Sequence, residues 1–469
     1  MSDRKLFLAG EWVETGEWID VVSPYSGERV GRAASGASAL TRDAIDAADR
    51  AFATPLPVHE RAAILDRVAA SLAERADEAA RIICAEAGKP MKAARVEASR
   101  AVSTFTTAAA VARTLTGEQV PMDASPAGEG KLAYTQRLPI GLVGAISPFN
   151  FPLNLVAHKL APAVAAGCPV VLKPASKTPL SAIFLAERFA EAGLPAGRLT
   201  VIPGPSSEIG DVLVEDDRIR MITFTGSAPV GWKLRERAPR KRVSLELGNA
   251  TPVIVLSDAD LGATAEKLAG SAFAFAGQSC ISVQRIFVAQ EAFEEFKRTF
   301  VEAVERLVVG DPSDEATDVG PVISSGDRDR VLEWIAESGG DVLTGGTLTD
   351  DGVIRPTVIA SPSGTSKVAC EEVFGPVATV SAVASLDEAI AAANGTRFGL
   401  QAGIFTADLR AALRAAGELE FGGVTINETP TFRADQMPYG GVKDSGNTRE
   451  GPAWAVRELT EERLVVVQL

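Results

Sequence analysis

From residue 140 onward, short β-branched runs alternate with helical stretches, and few architectures accept that rhythm. Runs at 140–147, 169–172, 199–202, 221–225 and 243–247 read as strands. The stretches 180–192 and 208–215 between them carry helical spacing. Strand, helix, strand repeated in this way predicts parallel strands with helices on both faces of the sheet. A second series follows at 252–256, 283–288, 377–380, 403–405 and 424–426. Helical segments near 263–276, 292–307, 327–337 and 387–393 lie between or before them. Two consecutive series predict an α/β fold of two Rossmann-like domains. The join is expected at 247–251, where Gly248 and Asn249 permit a turn.

Ahead of the first series, residues 39–116 are Ala-rich and helical in spacing, with Thr41 as the expected cap of the first helix. The run 463–469 is an apolar strand after a charged helix, and it needs a pairing partner, for which a second subunit is the natural source. The 138–157 stretch lacks charge but holds Pro139, Pro148 and Pro152, so it reads as a buried strand and turn, not a membrane helix. The opening MSDRKLFLAGEW has too short an apolar run for a signal peptide.

Charge narrows the function. Asp plus Glu number 61 against 47 Lys plus Arg, a net charge of −14. That argues against nucleic acid or an anionic membrane as partner, but leaves room for an anionic small molecule in a local basic pocket. Cys84, Cys168, Cys280 and Cys370 are widely spaced and none forms a CxxC, and His59 and His158 are the only histidines. A disulfide framework and a metal site are therefore not expected, and a reducing, cytoplasmic setting is.

Four segments carry chemistry. Phe224-Thr225-Gly226-Ser227 followed by Gly231 lies where a strand feeds a helix. Gly226 allows a sharp turn, Ser227 is suited to a cap or a phosphate, and Gly231 permits close packing. Gln278-Ser279-Cys280 follows Gly277, which would break the preceding helix and present a thiol on a loop; thiolates attack carbonyls well. Glu246 stands among apolar neighbours at a strand end, where burial would raise its proton affinity and suit it as a base. Asn150 sits between Pro148 and Pro152 in a rigid turn, with an amide able to donate to a developing oxyanion.

These segments, together with Lys173-Pro174-Ala175-Ser176, Glu372-Val373-Phe374-Gly375-Pro376 and Pro438-Tyr439-Gly440-Gly441-Val442-Lys443, resemble the aldehyde dehydrogenase superfamily in order and spacing, over essentially the whole chain. The resemblance implies that Cys280 attacks the aldehyde, that Asn150 and the Cys280 N–H hold the oxyanion, and that Glu246 activates the water that releases the acid. It implies an NAD(P) site built from Ser147, Pro148, Phe149, Lys173, Ala175, Ser176, Lys177, Gly204, Phe224, Gly226, Ser227, Gly231, Leu247, Glu372 and Phe374. It further implies a cofactor domain over 1–118 and 139–247, a catalytic domain over 248–446, and an oligomerisation element from 119–138 and 447–469, in a homodimer or homotetramer.

Two departures from the family pattern stand out. Asn249 replaces the family's usual glycine, and a tolerance for left-handed backbone would let the turn survive. Where NAD-strict members often carry a Glu, this chain has Ser176 and then Lys177, which would accept a 2′-phosphate, so NADP is expected to be used as well as NAD. The branch most resembled acts on lactaldehyde, non-phosphorylating glyceraldehyde 3-phosphate, and phosphono- or sulfo-aldehydes. By resemblance His158, Arg433 and Ser279 border the substrate. His158 and Arg433 suggest a short polar aldehyde, hydroxylated or anionic. Arginines that some members carry at two other positions read Thr106 and Ser279 here. Competing readings are a CoA-acylating dehydrogenase, whose members commonly lack the glutamate found at Glu246, and a cofactor-independent thiol hydrolase or esterase.

Overall fold

The computed structural model describes residues 3–469. Its frame is a pair of seven-stranded sheets, each parallel except at an edge. In the first, Leu142–Ile146 and Ile219–Thr225 lie side by side at the centre. Val170–Lys173 and Leu199–Val201 extend the sheet on one side, and Arg242–Glu246 closes it on the other. Strand order therefore reverses next to Leu142–Ile146, and the crevice at such a reversal is where open α/β sheets bind ligands. Strand Leu142–Ile146 hands over there to the turn 147–152, and Ile219–Thr225 hands over to Gly226 and Ser227.

The sheet's edge is a hairpin not foreseen in the sequence. Leu6–Leu8 and Glu11–Val13 add antiparallel to Leu199–Val201. The hairpin lies ahead of the strand–helix alternation that marks the rest of the sheet. The 39–116 stretch forms four helices, Ser38–Phe52, Val58–Glu74, Ala76–Ala87 and Met91–Thr114. Helix Val58–Glu74 buries Ala62, Leu65, Ala69 and Leu72, one stripe at three- and four-residue spacing. Thr41 is not a cap, because the first helix already starts at Ser38 and the Thr41 hydroxyl donates to the Ala37 carbonyl. Helix Asn154–Ala166 is buried on every side, between Met91–Thr114 and the sheet.

The second sheet has Thr251–Val255 and Val283–Ala289 at its centre, flanked by Val377–Val383 and Gln401–Phe405. Its core is made by Val253, Ile286, Val380, Phe296 and Phe300. Asn249, in the link between the sheets, is not left-handed. Its side-chain amide donates to Thr251 Oγ1 and the Gln401 carbonyl, and its Oδ1 accepts from the Leu400 N–H, so hydrogen bonds fix the turn. Finally, Thr460–Gln468 pairs antiparallel with Lys131–Pro139, which also pairs with Gln119–Val120, making a separate three-stranded sheet.

Candidate active site

A cavity of 540 Å³ opens beside the carboxyl ends of the first sheet's central strands. Ligand pockets are ordinarily of this size. Asn150, Glu246 and Cys280 line it at one end. Ser147, Pro148, Phe149, Lys173, Ala175, Ser176, Lys177, Phe224, Gly226, Ser227, Leu247, Glu372 and Phe374 line the rest. A larger hollow of 700 Å³ between Trp232, Arg242, Asn447 and Glu458 contains no thiol.

Gly204 and Gly231 act from outside the cavity wall. A Cβ on Gly204 would stand 2.3 Å from the Gly36 carbonyl, and one on Gly231 would stand 2.5 Å from Leu247 Cδ2. Both let the elements that frame the cavity approach closely.

The loop carrying Cys280 is held in unusual backbone. Helix Leu261–Phe273 ends, and Phe275 and Ala276 follow with φ of 50° and 52°. Each non-glycine residue in that region costs about 1–2 kcal/mol. Gly277 continues at φ 69°, and a Cβ there would lie 2.1 Å from the Gly375 carbonyl oxygen. The sequence placed a helix break at Gly277; the break begins three residues earlier, at Ala274, where nothing in the residue types announces it. The Cys280 sulfur lies 2.8 Å from the Tyr439 hydroxyl. Burial pushes the thiol up to about 12, against the pull of that hydrogen bond, so at rest it keeps its proton.

Asn150 is buried and donates one amide hydrogen to the Gln278 carbonyl at 3.0 Å, two residues before the thiol. An amide NH2 has a second hydrogen to give. Gln278 is itself pinned, its Oε1 accepting from the Ile323 N–H and its Nε2 donating to the Phe275 and Pro321 carbonyls.

Both carboxylate oxygens of Glu246 are buried without a hydrogen-bond partner. Desolvation holds its proton affinity well above the ordinary carboxylate range, and the nearby charge of Glu450 raises it further. Arg433 and Lys159 act in the opposite direction. A carboxyl in this state accepts a proton readily and can take one from water. Lys159 donates to the hydroxyls of Thr223 and Thr225, and burial lowers it to about 8.

His158 and Arg433, expected beside the substrate, belong to a buried polar cluster and have partners within the protein. The His158 ring is fully buried, with Nε2 3.4 Å from Asp435 Oδ1 and Nδ1 3.3 Å from Glu450 Oε1. The second contact lacks hydrogen-bond alignment. Desolvation lowers the imidazole to about 3, so it is neutral. Arg433 donates to Glu450 and stacks 3.8 Å over the Tyr439 ring. The Ser279 hydroxyl lies at hydrogen-bond distance from the Ile281 N–H.

Sequence reasoning missed Arg100, Lys159, Asp435, Tyr439 and Glu450. Arg100 is half-buried on the long helix, with its Nη2 shielded and unpartnered. Desolvation is the first cause of its lowered pKa, and repulsion from Arg433 is the next. Two guanidinium groups thus sense each other beside Tyr439, Asp435 and Glu450. A Thr-Arg-Glu run and an arginine on an amphipathic helix give no sequence signal for such a meeting.

The other end of the cavity has the chemistry of a dinucleotide site. The Lys173 ammonium donates to Ser206 Oγ at 2.7 Å, and burial alone lowers it to about 8, with no carboxylate charge to offset it. Such a cation suits ribose hydroxyls or phosphate. Ser227 precedes helix Ala228–Arg237 and makes no capping bond, so its hydroxyl and the helix N-terminus fit a phosphate. Glu372 accepts from the Asn249 N–H at 3.0 Å and is pushed up to about 7 by burial. A Cβ on Gly248 would lie 2.2 Å from the Glu372 carboxylate, so only glycine leaves that acid its place. Phe149 and Phe374 meet edge to face at 5.7 Å. The Ser176 hydroxyl donates to the Gly204 carbonyl, and the exposed Lys177 ammonium is 3.8 Å from Asp327.

Known proteins resemble this chain over nearly its whole length. Residues 12–465 match the model of the Aldehyde dehydrogenase family. The chain is 42% identical over 467 residues to 3-sulfolactaldehyde dehydrogenase of Priestia megaterium, covering 99% of this chain and 98% of that protein. Aldehyde dehydrogenase 21 from Physcomitrella patens, solved in complex with the reaction product succinate, superposes with a TM-score of 0.96 at 40% identity. That match covers 100% of this chain and 98% of the other. Glyceraldehyde-3-phosphate dehydrogenase GapN from Methanocaldococcus jannaschii, solved with NADP, superposes with a TM-score of 0.92 at 38% identity, covering 96% and 99%.

Proposed function

The chain belongs to the aldehyde dehydrogenase family, and from that premise we propose that it oxidises a short, polar, anionic aldehyde to its carboxylic acid with NADP or NAD. The observation that carries this reading is the meeting, in one cavity, of the Cys280 thiol with an unpartnered, proton-seeking Glu246 carboxylate and the Asn150 amide. Cys280 gives up its proton to Glu246, and its sulfur attacks the carbonyl carbon. The free Asn150 N–H and the Cys280 backbone N–H hold the resulting oxyanion. A bound nicotinamide cofactor supplies the acceptor for the hydride that leaves this thiohemiacetal. Glu246 passes the first proton on to solvent and, ionised again, takes a proton from the water that attacks the thioester on Cys280; it returns that proton to the Cys280 sulfur as the acid departs.

Glu246 also favours water over CoA as the acyl acceptor, and the Lys173 end of the cavity favours a dehydrogenase over a cofactor-independent hydrolase. Lys173 and Ser227 are the residues that would hold the ribose and pyrophosphate. Ser176 and Lys177 leave room for a 2′-phosphate, and we expect NADP to be used at least as well as NAD.

The anionic preference rests on the buried, unpartnered Nη2 of Arg100. Arg100 thus has an unpartnered N–H able to bind an anion. His158 and Arg433 would then act from behind, through Glu450 and Tyr439. The names of two relatives point the same way, since 3-sulfolactaldehyde carries a sulfonate and succinate a second carboxylate. The test is a plate of short alkyl, aromatic, hydroxylated, semialdehyde, phosphorylated and sulfonated aldehydes, each with NAD and NADP. Best catalytic efficiency on a short anionic aldehyde, lost in Cys280→Ala, is expected. Best efficiency on long alkyl or aromatic aldehydes would refute the substrate reading, and at least about tenfold preference for NAD, roughly 1.4 kcal/mol, would refute the cofactor reading.

A further inference from the structure

Three buried charges lie close together in sequence, Glu86, Lys89 and Glu97, and the chemistry above uses none of them. Each is tied to a different part of the site's frame. Glu86 accepts from the Leu180 and Ser181 N–H groups, at the start of the helix that follows Lys177. Glu97 Oε1 accepts from the Leu153 and Asn154 N–H groups at 3.0 and 3.1 Å, immediately after the Asn150 turn. Its other oxygen receives the Lys89 ammonium. That ammonium also stands 3.6 Å from the centre of the Phe151 ring and 4.5 Å from that of Phe275.

Phe151 is the neighbour of Asn150, and Phe275 is the first of the left-handed residues leading to Cys280. One cation therefore touches both segments that must meet for catalysis, and each of its contacts is worth most where water is excluded. Left-handed backbone at Phe275 persists only when its surroundings over-determine it. The ring held under Lys89 is such a constraint.

We propose that Lys89, fixed by Glu97, is a positioning residue that clamps the Phe151 and Phe275 rings and so sets Asn150 against the Cys280 loop. This rests on the reading of Cys280 as nucleophile and Asn150 as oxyanion donor. The clamp acts on the acylation step, when sulfur and amide must both reach the same carbonyl. It does not act on the cofactor end of the cavity, which it does not touch.

The test compares Lys89→Met, the double variant Lys89→Met/Glu97→Gln, and Phe275→Leu, which removes one ring and leaves no charge unpaired. Each is read by the pre-steady-state rate of hydride release, by NADP affinity, by melting temperature and by iodoacetamide labelling of Cys280 mapped by mass spectrometry. The expected result is hydride release slowed by roughly 100-fold with NADP affinity unchanged. Cys280 labelling is expected to rise about tenfold as the loop loosens. The double variant should recover melting temperature, since no buried carboxylate is left unpaired, without recovering the rate. The proposal is overturned if the double variant recovers rate and stability together, or if Phe275→Leu keeps both the wild-type rate and the wild-type labelling. Absence of Cys280-dependent hydride release in the wild type would sink the underlying reading instead. The labelling of Cys280 in Phe275→Leu would still decide the clamp.

Discussion

Glu246 has no hydrogen-bond partner of its own, and the clearest residue-level prediction follows from that. Glu246→Gln keeps the shape of the side chain and loses the base. It is expected to retain single-turnover hydride release, more slowly, while steady-state turnover drops by about 10²–10⁴. Loss of the two in equal proportion would place Glu246 outside deacylation. The reaction needs the carboxylate, and burial raises its proton affinity, so kcat/KM should climb as pH rises through a value well above the ordinary carboxylate range. A pH–rate profile that is flat down to the normal glutamate range would contradict this. At the cofactor end, Ser176→Glu should shift preference towards NAD by about tenfold or more, because a carboxylate there repels a 2′-phosphate. That Cys280, Glu246 and Asn150 line one cavity was legible in the sequence because their segments belong to a set of motifs whose order and spacing resemble one family. Arg100, Lys159, Tyr439 and Glu450 were not, because their roles come from contacts between distant parts of the chain. For the same reason the sequence suggested His158 and Arg433 as direct substrate contacts, while the folded chain commits Arg433 to Glu450 and buries His158 between two acids.

At the scale of elements, the decisive piece is the turn Phe275–Gly277, three residues in a row in left-handed backbone. Gly277→Ala would force a methyl towards the Gly375 carbonyl. It should cost roughly 100-fold in kcat/KM through displacement of Cys280, with NADP affinity unchanged. Unchanged kcat/KM would show that the turn does not place the thiol. Most strands and helices of both sheets were readable from the alternation of β-branched runs with helical stretches. The N-terminal hairpin Leu6–Val13 was not, nor was the pair Asp341–Thr344 and Thr357–Ala360. These pairs lie at the ends of their sheets, where pairing more than pattern makes the strand. The left-handed Phe275 and Ala276 are invisible for a related reason, because neither residue type favours that backbone and only tertiary contacts impose it.

At the scale of the whole molecule, two sheets meet so that one contributes Glu246 and Asn150, the other Cys280 and Glu372, and a single cavity collects all four. The three-stranded sheet stands apart from this, with Thr460–Gln468 at its edge. Leu464 and Val466 are about half exposed on that strand, at 56% and 47%. An exposed apolar edge invites pairing, and we expect a second copy of the chain to cover it in a homodimer or homotetramer. Leu464→Lys with Val466→Lys should lower the assembly state seen by light scattering, and an unchanged state would refute this use of the edge. The central claim, that a thiol and a base in one cavity oxidise an anionic aldehyde, is tested most directly by stopped-flow absorbance at the reduced nicotinamide band. Wild-type protein mixed with NADP and a short anionic aldehyde should give a rapid burst followed by steady turnover. Cys280→Ala should give neither, and Glu246→Gln should give one slow turnover that then stalls. Hydride release in Cys280→Ala equal to wild type, or undiminished turnover in Glu246→Gln, would contradict it.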